Sequence, residues 1–429
     1  MNKIYKTGFE NCLKAFTIIS IFLYRLFSIR ILGTHIYTNQ IAYILTIVPF
    51  IFIVPKLKSE LYKKRRFFLL LSFFLISITL SLSKSLDIIS SMKIWKNFVI
   101  GFLLFNNLVV YFSKKDISLI LTALLSASFV NLILQIGFFI SPQTYLKYLE
   151  IILHPSGIDY LIYSLNRGRL FGNTFEEVFI PIILYFFVSS RNKNFRFFLF
   201  CFFLLIIFLT NIANWRTKLI VFFVVSIKWI IFYKFIYQKR ATSSISKKII
   251  IPLLLIFLIF YFSNFFAIKV FNKSALFRII FPENTDYRNI NIRIEMWKKA
   301  IEIGNSNLLL GVGLGNYYYY FDSSLKNYSQ FYLLKKDEYT LTNPHNIFFS
   351  LFSESGVLGV ISFMLLVIYF FSFDFKYIKN NRKNLLFFSL ILSFWGLFMV
   401  SLFHPIYDLT YLSLFWILRG LIIVETKSS

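Results

Sequence analysis

The sequence predicts an all-α polytopic membrane protein of about twelve transmembrane helices with one large outward loop. Three observations carry this reading. Of 429 residues, 58% are hydrophobic and the mean hydropathy is +0.69, values outside the range of soluble globular chains. Apolar runs of about 20 residues recur, each long enough to cross a hydrocarbon core of about 30 Å. Basic residues collect in the short connections between alternate runs, as orientation signals do. Lipid rather than a soluble core is the solvent, so residues 1–429 read as a single membrane domain.

Taken in order, the spans fall at 12–32, 36–55, 67–83, 94–112, 117–141, 175–190, 195–212, 215–237, 248–267, 346–373, 384–403 and 407–424. The first follows Lys3, Lys6 and Lys14 and looks like a signal peptide. No small-residue cleavage site follows, and Arg25 and Arg30 interrupt it. It therefore reads as an uncleaved helix whose arginines snorkel or face the protein interior. Lys56, Lys58 and Lys63-Lys64-Arg65-Arg66 join the second and third spans, and Lys114-Lys115 the fourth and fifth. Arg191, Lys193 and Arg196, then Lys239-Arg240 with Lys247-Lys248, then Lys376, Lys379, Arg382 and Lys383 mark later connections on the same side. That alternation puts these connections and both termini in the cytoplasm. The remaining connections face outward, among them 142–174 and the large loop 268–345.

The net charge of +27 is spread over these connections, and no basic-aromatic platform indicates nucleic acid. Cys12 and Cys201 sit at or in apolar runs, so neither a disulfide framework nor a zinc site is indicated.

Chemistry gathers between Asn291 and Gly359. Asn291 to Ile303 has a helical period, with Ile292, Met296, Trp297, Ala300 and Ile301 on one face. Arg293 and Trp297 lie four apart and share a side, and Gly304-Asn305-Ser306-Asn307 ends the helix. Gly311-Val312-Gly313-Leu314-Gly315 lacks Rossmann or P-loop spacing, and no βαβ pattern surrounds it. It reads as a loop that needs positive φ and close backbone packing at the membrane surface. The aromatic run Tyr317 to Phe321 reads as an interfacial anchor, with sugar stacking as its other use.

Arg169, Arg216, Arg288 and Arg293 all fall on the outward side, against the positive-inside bias. Cations on the disfavoured side suit an anionic ligand. Arg216 opens a span, where it can pair bidentately with a phosphate. His345, between Asn343-Pro344 and Asn346, stands at a helix start whose free N–H groups favour an anion. Its imidazole titrates near neutrality and can serve as base or donor. His404 is a second histidine candidate, and Glu354, farther along the same helix as His345, reads as a buried partner. No His/Asp/Glu cluster has metal spacing, no carboxylate pair stands out, and no cofactor motif is present. A cationic pocket at membrane level fits a lipid-linked phosphate or diphosphate.

The ordered set Arg293-x-x-x-Trp297, Gly311-Val312-Gly313, His345-Asn346 and Glu354-x-Gly356-x-x-Gly359 resembles the O-antigen ligase/polymerase family of bacterial envelope enzymes. Arg169-x-x-Gly172 and the Trp215-Arg216 helix start extend the resemblance over a core of 169–359. Glu176-Glu177 stands where relatives tend to carry Pro and Asn, and Asn214-Trp215 where a small hydroxyl residue often precedes the arginine. The resemblance implies a GT-C-like bundle in the bacterial inner membrane with a periplasmic site. It also implies metal-independent, inverting transfer of a glycan from undecaprenyl diphosphate to an acceptor hydroxyl. Arg216, Arg293 and His345 would be catalytic. Arg169, Arg288, Trp297, Glu354 and His404 would line the substrate site. The implied partners are the undecaprenyl-diphosphate-linked glycan, an acceptor glycan or lipid A core, membrane lipid and a chain-length regulator. Polymerase is the first reading because polymerases are the more numerous branch. Ligase, protein-directed transferase and lipid-glycan transporter are the alternatives.

Overall fold

The structure is a computed structural model describing residues 2–25, 38–63, 65–140, 176–212, 216–234, 261–262, 265, 279, 284–320, 343–381, 384–403, 407 and 409–427. Among these residues lie twelve α-helices and no strand. They are α1 (Asn2–Arg25), α2 (Thr38–Lys63), α3 (Arg65–Ser81), α4 (Ile88–Tyr111), α5 (Ile117–Ile140) and α6 (Ile180–Ser189). Then follow α7 (Lys193–Ile212), α8 (Arg216–Phe232), α9 (Asn284–Ser306), α10 (Ile347–Asn380), α11 (Leu385–Ser401) and α12 (Leu409–Glu425). All but α9 overlap predicted spans, α1 beginning at Asn2 rather than 12 and α2 running to Lys63 rather than 55, whereas the span at 248–267 falls almost wholly outside the described residues. By length and apolarity alone, five stretches can cross a membrane: Arg65–Lys84, Ile88–Tyr111, Lys114–Ile133, Lys193–Thr210 and Ile347–Asn380.

Local chemistry sets several helix starts. The Asp87 carboxylate accepts from the Ser90 N–H and opens α4. Ser113 and Asp116 form a capping box ahead of α5. Asn384 caps α11 through the Phe387 N–H and also donates to Glu425 at the end of α12 (2.8 Å), tying two helix ends together.

One apolar core runs through the bundle. In it α12 packs on α4, α10 on α3, α1 on α2 and α5, and α11 on α6, α8 and α12. Two buried ion pairs lie within it. The Arg25 guanidinium reaches Glu176 (3.3 Å) and lies over the Phe179 ring, so Arg25 faces the protein interior, as its cost in lipid requires. Arg419 meets Asp374 at 2.8 Å, and the Trp395 indole donates to the same carboxylate.

Two features depart from the predicted plan. The loop 268–345 contains a longer helix than expected, beginning at Asn284 rather than Asn291. The span expected at 346–373 runs to Asn380, and its 34 residues are broken at Gly356 (φ 65°, ψ −164°). The unbroken length would be about 51 Å at about 1.5 Å per residue, well beyond one bilayer core. The break divides α10 into a short half, Ile347–Ser355, and a long half, Val357–Asn380.

Candidate active site

The break in α10 is filled by the glycine loop. The Val312 and Gly313 N–H groups donate to the Ser353 and Glu354 carbonyls (3.0 and 2.9 Å). In return, the Val357 and Leu358 N–H groups donate to the Leu308 and Leu309 carbonyls (2.8 and 3.4 Å). The groups freed by interrupting the helix are thus satisfied by another backbone, as a membrane-level break demands. Such contact needs main chains closer than a side chain permits. A Cβ at Gly311 would stand 2.4 Å from the Glu354 carbonyl carbon, and one at Gly356 2.4 Å from that of Leu309. Gly311, Gly313 and Gly315 all have positive φ, as the sequence reading requires of this loop.

Asn316 then docks the loop on the α3–α4 connection. Its Oδ1 accepts from the Asp87 N–H (2.8 Å), and its Nδ2 donates to Ser85, Ser91 and the Leu314 carbonyl. The Tyr319 hydroxyl donates to Asp87 (2.8 Å). Hydrogen bonds from the Ser90 hydroxyl and N–H, then from Tyr319, hold the Asp87 carboxyl down at about 2. Tyr317 is buried, and its hydroxyl donates to the Met296 carbonyl (2.8 Å). The aromatic run therefore works first as an internal dock: Tyr317 is closed to sugar, and Phe321 lies outside the described residues.

The same dock fixes α9. Met296, Ala300 and Ile303 pack against Val312 and Tyr317, with Phe349 of α10 at the margin. The Trp297 ring stacks on Phe349 (5.3 Å between centroids), and its indole N–H donates to the Pro344 carbonyl (2.9 Å). Pro344 immediately precedes His345. Arg293 lies one helical turn before Trp297, about 6 Å along the axis. Arg293 thus stands one turn from the residue that ties α9 to the His345 turn.

His345 is the only non-glycine residue with positive φ among the described residues (φ 53°), and its N–H donates to Asn343 Oδ1 (2.8 Å). A left-handed histidine carries a modest conformational cost, and such costs cluster at functional positions. Asn346 is the N-cap of α10, its side chain accepting from the Phe348 and Phe349 N–H groups. The cap takes two of the N–H groups that the helix start would otherwise offer to an anion. Glu354 is fully buried, and its carboxylate takes the N–H groups of Gly315 and Tyr317 with Tyr407 alongside. Its partners are thus the glycine loop and Tyr407.

Arg216 is the first residue of α8 and half-buried. A buried charge cluster begins close by in the same helix turn. Lys218, buried two residues further along α8, lies within Coulombic reach of Glu177 and Glu176, and Glu176 holds Arg25. The departure at Glu176-Glu177 is thus the acidic half of a buried charge cluster. A net-neutral set of two cations and two acids could have been sought in the sequence, but nothing in their spacing announces it. Arg169 and His404 lie outside the described residues, and Arg288 lies in α9 with its side chain outside them. Among the described residues no group of three His, Cys, Asp or Glu could hold a metal ion.

These features define a helical polytopic membrane protein with a broken helix, a loop stitched into the break and a histidine turn at its end. Residues 160–364, just under half of the chain, match the family model described as O-antigen ligase, which supports the resemblance to the O-antigen ligase/polymerase family. The matched segment contains Arg169, Arg216, Arg288, Arg293, Trp297, His345 and Glu354 and leaves out His404. No curated protein matches the chain.

Proposed function

We propose that this protein is an O-antigen or capsular polysaccharide polymerase. It takes a glycan from undecaprenyl diphosphate and passes it to the hydroxyl of an acceptor glycan at the periplasmic face of the inner membrane. His345 accepts the acceptor's hydroxyl proton as that oxygen attacks the anomeric carbon. The bond to the diphosphate oxygen breaks, the configuration inverts, and the lipid diphosphate leaves with one more negative charge. Arg293 and Arg216 neutralise that charge, the second aided by the positive end of α8. The reaction in this reading is metal-independent.

One observation carries the reading: the Trp297–Pro344 hydrogen bond joins the helix of Arg293 to the turn of His345, within the family-matched segment. A second reading, ligation of the glycan to lipid A core, is favoured by the family model's description as O-antigen ligase. A broken helix is also a transporter feature. Here its backbone groups are occupied by the loop, which disfavours a transported ion at the break.

The test is a glycan-ladder gel of a strain deleted for this gene and complemented with wild type, His345→Ala, Arg216→Ala or Arg293→Ala. A single repeat on the lipid A core after deletion means polymerase. Full-length polymer retained on undecaprenyl diphosphate, with none at the surface, means ligase. A normal ladder from His345→Ala, with the protein inserted at wild-type level, refutes the site.

A further inference from the structure

We infer that α9 is an interfacial helix whose Ile290, Ile294 and Ile301 flank, continued by Leu308 and Leu309, rests on the acyl chains at the bilayer boundary. At about 100° per residue, Ile290, Ile294 and Ile301 share one narrow arc of the helix. They are 51%, 39% and 41% exposed, and Leu308 and Leu309 after the helix are 52% and 65% exposed. The adjoining arc, with Met296, Ala300 and Ile303, is the face docked on the loop. The arc beyond the apolar flank carries Lys298 and Glu295, bonded at 2.8 Å, and Glu302, bonded to Lys299 at 3.0 Å. The helix therefore has a docked face, an uncovered apolar flank and a charged face, the division expected of an element lying at a membrane surface.

Depth is set by the stitch. The long half of α10, Val357–Asn380, is about 36 Å long, enough to span a core of about 30 Å alone. Gly356 then marks the boundary. The lipid-facing stripe of that half recurs at Ile361, Ile368 and Phe375, which are 46%, 55% and 64% exposed. One turn above Ile361 the stripe reaches Val357, whose N–H bonds the Leu308 carbonyl. Leu308 and Leu309 thus continue the lipid face of a membrane-crossing helix, and the isoleucines of α9 continue theirs. The occupant that fits this continuity is lipid, and the reading stands whatever reaction the protein catalyses.

Cys12 and Cys201 are exposed and would be replaced by serine. A single nitroxide is then placed at Ile294, Ile301, Leu309, Lys298 or Ile368 of the full chain, reconstituted in phosphatidylethanolamine/phosphatidylglycerol vesicles. Collision rates with oxygen and with a neutral nickel chelate are compared. The expected oxygen-to-nickel ratio at Ile294, Ile301 and Leu309 is several-fold above that at Lys298 and approaches that at Ile368. A high ratio at Leu309 alone, with Ile294 and Ile301 matching Lys298, would mean that α9 stands clear of the membrane and overturns the inference. Three low ratios beside a high Ile368 control overturn it equally.

Discussion

Gly356→Ala tests the stitch that joins the loop to α10. At φ 65° and ψ −164° the backbone lies in a region open essentially to glycine, and holding another residue there costs about 1–3 kcal/mol. The new Cβ would also stand 2.4 Å from the Leu309 carbonyl carbon and 2.5 Å from its oxygen, so the loop must withdraw. Withdrawal breaks the bonds from Val357 and Leu358, each contributing about 1 kcal/mol net. The sum, about 3–5 kcal/mol, is best relieved by straightening α10 and expelling residues 308–313. At about 1.4 kcal/mol per tenfold, hydrogen exchange of the Val312 and Gly313 amides should accelerate by roughly 10²–10⁴. Amides in α4 and α12, remote from the break, should stay protected. Exchange is read by mass spectrometry on protein in nanodiscs. Unchanged protection at Val312 and Gly313 in Gly356→Ala would refute the argument that the break exists to receive the loop.

Three further outcomes follow from the same contacts. Trp297→Phe keeps the stack on Phe349 but removes the bond to Pro344, which at about 1 kcal/mol should lower transfer about fivefold, measured in reconstituted vesicles, with little change in melting temperature. Glu176→Ala leaves Arg25 as a buried, unpaired cation and should cost about 3–5 kcal/mol, seen as a lower melting temperature in detergent, whereas Arg25→Met combined with Glu176→Leu should recover most of it. The Asp87 carboxyl is held below its unfolded value, so its stabilising effect is complete above about pH 4 and is lost as pH falls toward about 2; Asp87→Asn should flatten the melting temperature across that window.

Most of the bundle was legible because lipid imposes length and apolarity on every crossing segment. Most span limits fell near the observed helix ends, and the cost of Arg25 in lipid narrowed it to snorkelling or the interior, the second of which the structure shows. The loop glycines announced positive φ, and Asn343-Pro344-His345-Asn346 announced a helix start. The break at Gly356 was not legible, because Glu354-Ser355-Gly356-Val357 sits inside a continuous run of helix-compatible residues and a lone glycine there is tolerated in an unbroken helix. Its cause lies some 45 residues away, in a loop whose backbone fits the gap. The buried cluster of Arg25, Glu176, Glu177 and Lys218 escaped for the same reason: it joins three chain segments, and only tertiary packing pairs them.

The two arginines proposed for the diphosphate are held by separate devices, and this has a consequence for catalysis. Arg293 belongs to the unit formed by α9, the glycine loop and the short half of α10, which backbone bonds and the Trp297–Pro344 contact make one body with His345. Arg216 belongs to α8, whose first turn is tied through Lys218 to the buried acids before α6 and through Glu176 to α1. A diphosphate gripped by both arginines would bridge the two bodies, and its charge would draw them together only while it is bound. Loosening either body should then act differently on transfer. Freeing the loop with Gly356→Ala disturbs Arg293 and His345 together, and so should remove both of the roles proposed for them. Lys218→Met loosens the first turn of α8, where Arg216 stands, and should weaken donor use more than acceptor use. Equal weakening toward donor and acceptor in Lys218→Met, measured with each substrate varied in turn, would refute the division of the site into two bodies.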